Sequence, residues 1–266
     1  MPTLNCIETY IEKDQSHYGC FLIEPLETGQ GITLGNALRR TLLSDLTGFS
    51  IVGVRINNVK HEFSSVEGLR EDILEILLNL KEIVFKHSNI SNMKINETKF
   101  TGFLNVQGPV VLTAGMFNLP KNSLKIINPG QYIGTIVDSS EIYIEVDIEN
   151  GKGYRLTEES RKINSQSIVL NQKPSTLFID TLFMPVKRVN YKIKLIHDTK
   201  GNIKESLNLE IWTNGSMTPK RSLQEALKIL MNLFYTLFIT PDFLTISSSF
   251  SKQFFTDSNK TTNKKT

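Results

Sequence analysis

The chain has 266 residues, 39% of them hydrophobic, which is enough for one large domain or two medium ones with real cores and lies outside the disordered range. A formal net charge of only +3, from 30 Lys and Arg against 27 Asp and Glu, gives no nucleic-acid footprint by charge alone. The 2 cysteines, Cys6 and Cys20, are too far apart for a CxxC pair and read as reduced thiols, not as a disulfide framework.

No apolar run approaches the roughly 18 residues of a membrane helix. Met1 to Glu8 lacks the basic and apolar regions of a signal peptide, and lacks the Arg- and Ser-rich character of a transit peptide. A soluble protein that stays where it is made is the expectation.

Cys6 to Glu12 alternates apolar and polar residues, and Tyr18 to Ile23 is an aromatic and β-branched run. With Asp14-Gln15-Ser16 between them the two read as a hairpin. Gly29 and Gly31 follow, suited to a tight turn because glycine lacks the Cβ that forbids positive φ. Thr33 stands as the N-cap of a helix in which Leu34, Leu38 and Leu42 recur at i, i+4 and i+8. Gly48 is expected at the left-handed C′ position past its end. On the helical wheel Arg40 falls between Ala37 and Leu43, and Arg39 between Leu46 and Leu43. Apolar surface therefore continues on both sides of the arginines. Two readings stay open from the pattern: a helix that buries two faces, or a core helix with snorkelling arginines.

Ile51 to Ile56 is a strand by β-branching. A second helix carries Leu69, Ile73, Ile76, Leu77 and Leu80 on one stripe, with Glu71, Asp72 and Glu75 in its first turns and Lys81 in its last, as the helix dipole favours. From Lys99 to Ile148 short β-prone runs alternate with turn signals. Ile142, Ile144, Val146 and Ile148 alternate with polar residues as in a half-buried antiparallel strand. Asn150-Gly151-Lys152-Gly153 reads as a turn, with no following helix to aim at a phosphate. Ser160 to Lys173 reads as loop. Strands resume at Leu177–Asp180, Val186–Ile196 and Leu207–Trp212.

Thr218-Pro219 opens the last helix, with threonine as N-cap and proline at N1. Its stripe is Leu223, Ala226, Leu227, Leu230, Phe234, Leu237 and Phe238. Met231 and Leu233 widen that stripe beyond what one packing face needs. Thr240-Pro241 stops the helix, and residues 244–266 read as a disordered polar tail.

Catalytic signatures are missing. The 4 histidines stand far apart without carboxylate or cysteine at metal-ligand spacing. There is no phosphate loop, no nucleophile elbow and no aspartate cluster of the kind that holds catalytic Mg²⁺. The expectation is no catalytic residue, no metal and no cofactor in this chain.

Four blocks in order carry a resemblance. They are Phe21–Leu26 with Gly31–Ser44; His61-Glu62-Phe63 with Glu71–Lys81; Gly151–Tyr154; and Met184-Pro185-Val186 with Ile211–Pro219. Together they resemble the alpha subunit of bacterial-type DNA-directed RNA polymerase, over about residues 8 to 240, and the Glu210–Pro219 wording is most similar to plastid-encoded members. The resemblance implies an α+β fold. Residues 1–53 plus 177–243 would form a discontinuous dimerisation domain, with residues 54–176 as an inserted β-rich domain.

It also implies partners and contacts. The partners are a second copy of the chain, the beta subunit and the beta-prime subunit, with DNA met only through the complex and no membrane. Arg39, Arg40, Leu43, Glu71 and Asp72 would face beta. Leu34, Leu38, Leu42, Leu227, Leu230 and Phe234 would face the second copy. Only a short polar tail follows Pro241, where bacterial members carry a linker and a DNA-reading domain, so no sequence-specific DNA reading is expected here. Location in the plastid stroma is implied, or else in the bacterial cytoplasm. A free homodimeric enzyme with an interface site, or a nucleic-acid-binding module, remain the competing readings. The near-neutral charge and the lack of an aromatic-basic stripe count against the second.

Overall fold

The computed structural model describes residues 2–57, 59–87, 99–120, 123–160, 176–197 and 201–239. Almost all of the expected Ser160–Lys173 loop, the Thr240-Pro241 stop and the polar tail lie outside the described residues.

In chain order the elements are β1 (Thr3–Ile11), β2 (His17–Leu26), α1 (Gln30–Ser44), β3 (Thr47–Ile56), α2 (Ile73–Lys81), β4 (Phe85–His87), β5 (Lys99–Gln107), β6 (Val110–Thr113), β7 (Leu124–Ile126), β8 (Tyr132–Ile136), β9 (Glu141–Lys152), β10 (Tyr154–Arg155), β11 (Leu177–Phe178), β12 (Thr181–Leu182), β13 (Val186–His197), β14 (Ile203–Thr213) and α3 (Pro219–Phe238). All strand pairs are antiparallel. Helices are set beside antiparallel sheets, so the α+β class holds.

Two hydrophobic cores form. The first lies between a four-stranded sheet, order β1-β2-β14-β13, and helices α1 and α3. Phe21 and Ile23 of β2, Leu38 and Leu42 of α1, Leu207, Leu209 and Ile211 of β14, and Leu223 of α3 fill it. N- and C-terminal parts of the chain thus share one core. On the sheet's other face Tyr10, Tyr18, Trp212 and Arg188 form one row across all four strands. Ring centroids are 4.7 Å and 5.0 Å apart, and the Arg188 guanidinium lies 4.8 Å from the Trp212 ring.

The second core lies around a sheet of order β11-β3-β9-β5, with α2 and the β6–β8 pair packed on it. The alternation seen in the sequence of β9 is realised, since Ile142, Ile144, Val146 and Ile148 are all buried. Arg55 of β3 is buried too, and binds Glu145 and Asp147 of β9 at 2.5–3.0 Å. Two acceptors on the neighbouring strand satisfy a guanidinium that burial would otherwise penalise.

Several boundaries differ from the sequence reading. α1 begins three residues before Thr33, after Gly29 at φ 88°, and the Thr33 hydroxyl instead donates back to the Gly29 carbonyl at 3.1 Å. Gly48 is inside β3, not a helix C′ residue. A Cβ there would stand 2.1 Å from the Phe183 carbonyl oxygen, so close backbone approach demands the glycine. Asn150 to Lys152 continue β9, and the turn narrows to Gly153 at φ 63°.

Candidate partner-binding surfaces

Helix α1 is fixed at its N-terminus by a residue far away in sequence. The Glu205 carboxylate of β14 accepts the Gly29 and Gly31 amides, each at 2.8 Å. No side chain of the helix caps it, so this buried charge takes the orphan donors and lies at the positive end of the helix dipole. One turn on, a Cβ on Gly35 would meet the Tyr191 ring at 2.8 Å, and the Tyr191 hydroxyl donates to Asn36 at 2.8 Å. The Gly-Asn pair of the motif is therefore the seat of a β13 tyrosine.

The two arginines part company. Arg39 donates to the Val189 carbonyl at 2.7 Å, which ties it to β13. Arg40 is exposed, and its guanidinium has no partner among the described residues. Leu43 beside it is half-buried.

Beyond the end of α1 the surface continues across three elements. Gly153 approaches the Ser44 carbonyl. Tyr154 pairs with Leu182 across β10–β12, and its hydroxyl donates to Asp180 at 3.0 Å. The Lys81 ammonium lies 6.0 Å from the Tyr154 ring centroid. On α2 the outward Leu74 and Leu78 are exposed, as is Asp72 at the N-cap. The Gly151–Tyr154 block and the acidic-leucine helix, distant in sequence, are thus joined to the arginine end of α1.

Glu71 is a correction. It precedes α2, is 6% exposed, and cannot offer its carboxylate to a partner. It accepts from the Tyr132 hydroxyl, the Thr135 amide at 2.6 Å and Arg70 at 2.9 Å. Burial pushes its carboxyl up, yet these donors outweigh that and hold it below the usual glutamate range.

The expected second-copy face also needs correction. Leu38 and Leu42 are fully buried in the chain's own core, and Leu34 and Leu230 are half-buried. The stripe that looked like an interface is intrachain packing at Leu38 and Leu42. Apolar surface is instead exposed on the second half of α3. Leu227 is 37% exposed, Met231 67% and Phe234 63%, with Leu233, Tyr235, Leu237 and Phe238 also exposed. All nine residues of the edge strand β1 are exposed, among them Leu4, Ile7 and Ile11.

Among the described residues no group of three or more His, Cys, Asp or Glu could hold a metal ion, and no helix is long and apolar enough to cross a membrane. Sequence reasoning missed Glu205 and Tyr154. A cap supplied from another strand leaves no local signature, whereas the Tyr154 aromatic directly after a Gly-Lys-Gly turn is a visible cue.

Comparison with known proteins gives the family. Residues 54–184 match the family described as the RNA polymerase Rpb3/RpoA insert domain. The chain is 44% identical over 234 residues to the DNA-directed RNA polymerase subunit alpha of Pyropia yezoensis, covering 88% of this chain and 70% of that protein. It is 48% identical to that of Pyrenomonas salina, over 88% and 69%, and 43% identical to that of Trichormus variabilis, over 88% and 70%. With identity of this level running through both cores, the chain belongs to the alpha-subunit family of DNA-directed RNA polymerase.

Proposed function

We propose that the chain is the non-catalytic assembly subunit of a multisubunit DNA-directed RNA polymerase. It pairs with a second copy and scaffolds the beta and beta-prime subunits, whose complex carries the nucleotidyltransferase activity. The observation that carries this reading is the exposed run from Met231 to Phe238 on α3. A helix with this much apolar surface in water needs a covering partner.

The second copy covers α3 through Leu227 and Phe234, with β1 at the margin. Residues 1–53 and 177–243 act as the dimerisation unit, and residues 54–176 as the inserted unit. Beta docks on the surface from Arg40 and Leu43 through Tyr154 and Leu182 to Leu78 and Asp72, with Arg39 bracing it from behind. An unpartnered arginine among leucines and a tyrosine fits such a contact, since its planar fork makes bidentate bonds to a carboxylate. The other copy presents the same chain to beta-prime. DNA is met only through the complex. The likeness to the subunits of Pyropia yezoensis and Trichormus variabilis supports a plastid or a bacterial cytoplasm as the working compartment, and a plastid stroma is the reading we favour.

Paired substitutions test it by co-expression with beta, pull-down and light scattering. Arg40→Ala is expected to keep the dimer and lose beta. Phe234→Asp is expected to stay folded and give monomer. Beta recovered at the wild-type level with Arg40→Ala, or an intact Phe234→Asp dimer, would refute the corresponding contact.

A further inference from the structure

A cleft opens where the two cores meet. It is lined by Thr47 and Phe49 of β3, Lys86 and His87 of β4, and Arg221 in the first turn of α3. β4 packs in the second core, and α3 in the first. The cavity volume is about 100 Å³.

The charge in this cleft is one-sided. Lys86 and Arg221 are half-buried, and neither makes a hydrogen bond or ion pair with the described residues. No carboxylate lines the cleft among those residues. Lys86 also stands directly opposite Lys125 across β4–β7. Such cross-strand neighbours have Cβ atoms about 5 Å apart, and like charges there repel. The field reaches His17, whose imidazole is held below its usual value by burial and then by Lys86. Elsewhere in the molecule the half-buried or buried cations Arg55 and Arg155 each have a carboxylate partner. Lys86 and Arg221 have no such partner among the described residues, and an anion would relieve them.

We propose that the cleft is an oxyanion site that takes a phosphate group between Lys86 and Arg221, with Lys125 and His87 beside it. A phosphate carries up to two negative charges and presents oxygens in several directions. It therefore answers cations arriving from separate elements better than a singly charged, planar carboxylate. The Arg221 fork suits two of its oxygens, and Lys86 acts as a point charge. The group is either inorganic phosphate or the terminal phosphate of a nucleotide whose body stays outside the cleft. Because its two principal cations come from different cores, a bound phosphate clamps the two halves together.

The experiment is calorimetric titration and thermal unfolding of the full chain with inorganic phosphate, ATP without metal, and sodium chloride at matched ionic strength. Phosphate is expected to bind and to raise the melting midpoint by linkage, where chloride does not. Arg221→Gln and Lys86→Gln are each expected to weaken binding about tenfold. The exposed Lys125→Gln serves as the milder control should either fail to fold. Tighter binding of ATP than of phosphate, lost in the same variants, identifies a nucleotide as the source, and equal binding identifies inorganic phosphate. No binding, an equal response to chloride, or folded variants that bind like the wild type would overturn the site.

Discussion

Glu71 has three donors converging on a buried carboxylate, and this fixes its contribution to stability. Its folded pKa lies below the ordinary glutamate value. The extra stability is therefore complete above the unfolded pKa and is lost as pH falls through the folded one. Glu71→Gln turns an amide NH₂ toward one of these donors, and is expected to cost about 2 kcal/mol at neutral pH. Urea unfolding at pH 7 and pH 3 checks this, and the gap between variant and wild type should shrink at the lower pH. The same attention to single residues separates the arginines. Pattern alone treats Arg39 and Arg40 alike, yet one is anchored to the Val189 carbonyl and the other is exposed, with no side-chain partner among the described residues.

At the scale of elements, α1 and α3 behave differently although both read as leucine stripes. α1 lies against β13 and α3 across most of its length, and its stripe is spent on the chain's own core. α3 docks by its N-terminal half, with Pro219, Ser222, Leu223 and Ala226 buried and Ile229 and Leu230 partly buried against the core. Its remaining turns project, and the excess apolar positions at Met231 and Leu233 are the sequence trace of that. The N-terminus of α1 depends on β14. Glu205→Ala removes two charge-assisted hydrogen bonds from a buried site and is expected to cost about 3 kcal/mol. A lower denaturant midpoint, with early amide exchange at Gly29 and Gly31, is the expected result. Unchanged exchange there would remove Glu205 from this role.

For the molecule as a whole, two cores are strung on one chain, with β3 running from the first into the second. Ile51 and Val54 belong to the second core, and Leu46 just before β3 belongs to the first. We expect two calorimetric transitions. Leu104→Ala empties a fully buried site in the second core and should lower that transition by about 3 kcal/mol, leaving the other in place. A single transition that moves as a unit would mean that the cores fold as one. The exposed half of α3 belongs to the helix of the first core.

Sequence alone determined the α+β class, the strand alternation of β9, the hairpin of β1 and β2, and the family, because periodicity and motif wording are local properties. It also marked α3 as too apolar for one face. Only the tertiary structure decided which apolar and charged residues remain available. Leu38 and Leu42 are buried in a core shared with β2, β13, β14 and α3, Glu71 is enclosed by Tyr132 and Thr135, and Glu205 arrives at α1 from far along the chain. Such burial is set by neighbours distant in sequence. A residue's own periodicity says that it has an inward or outward side, but not what stands opposite.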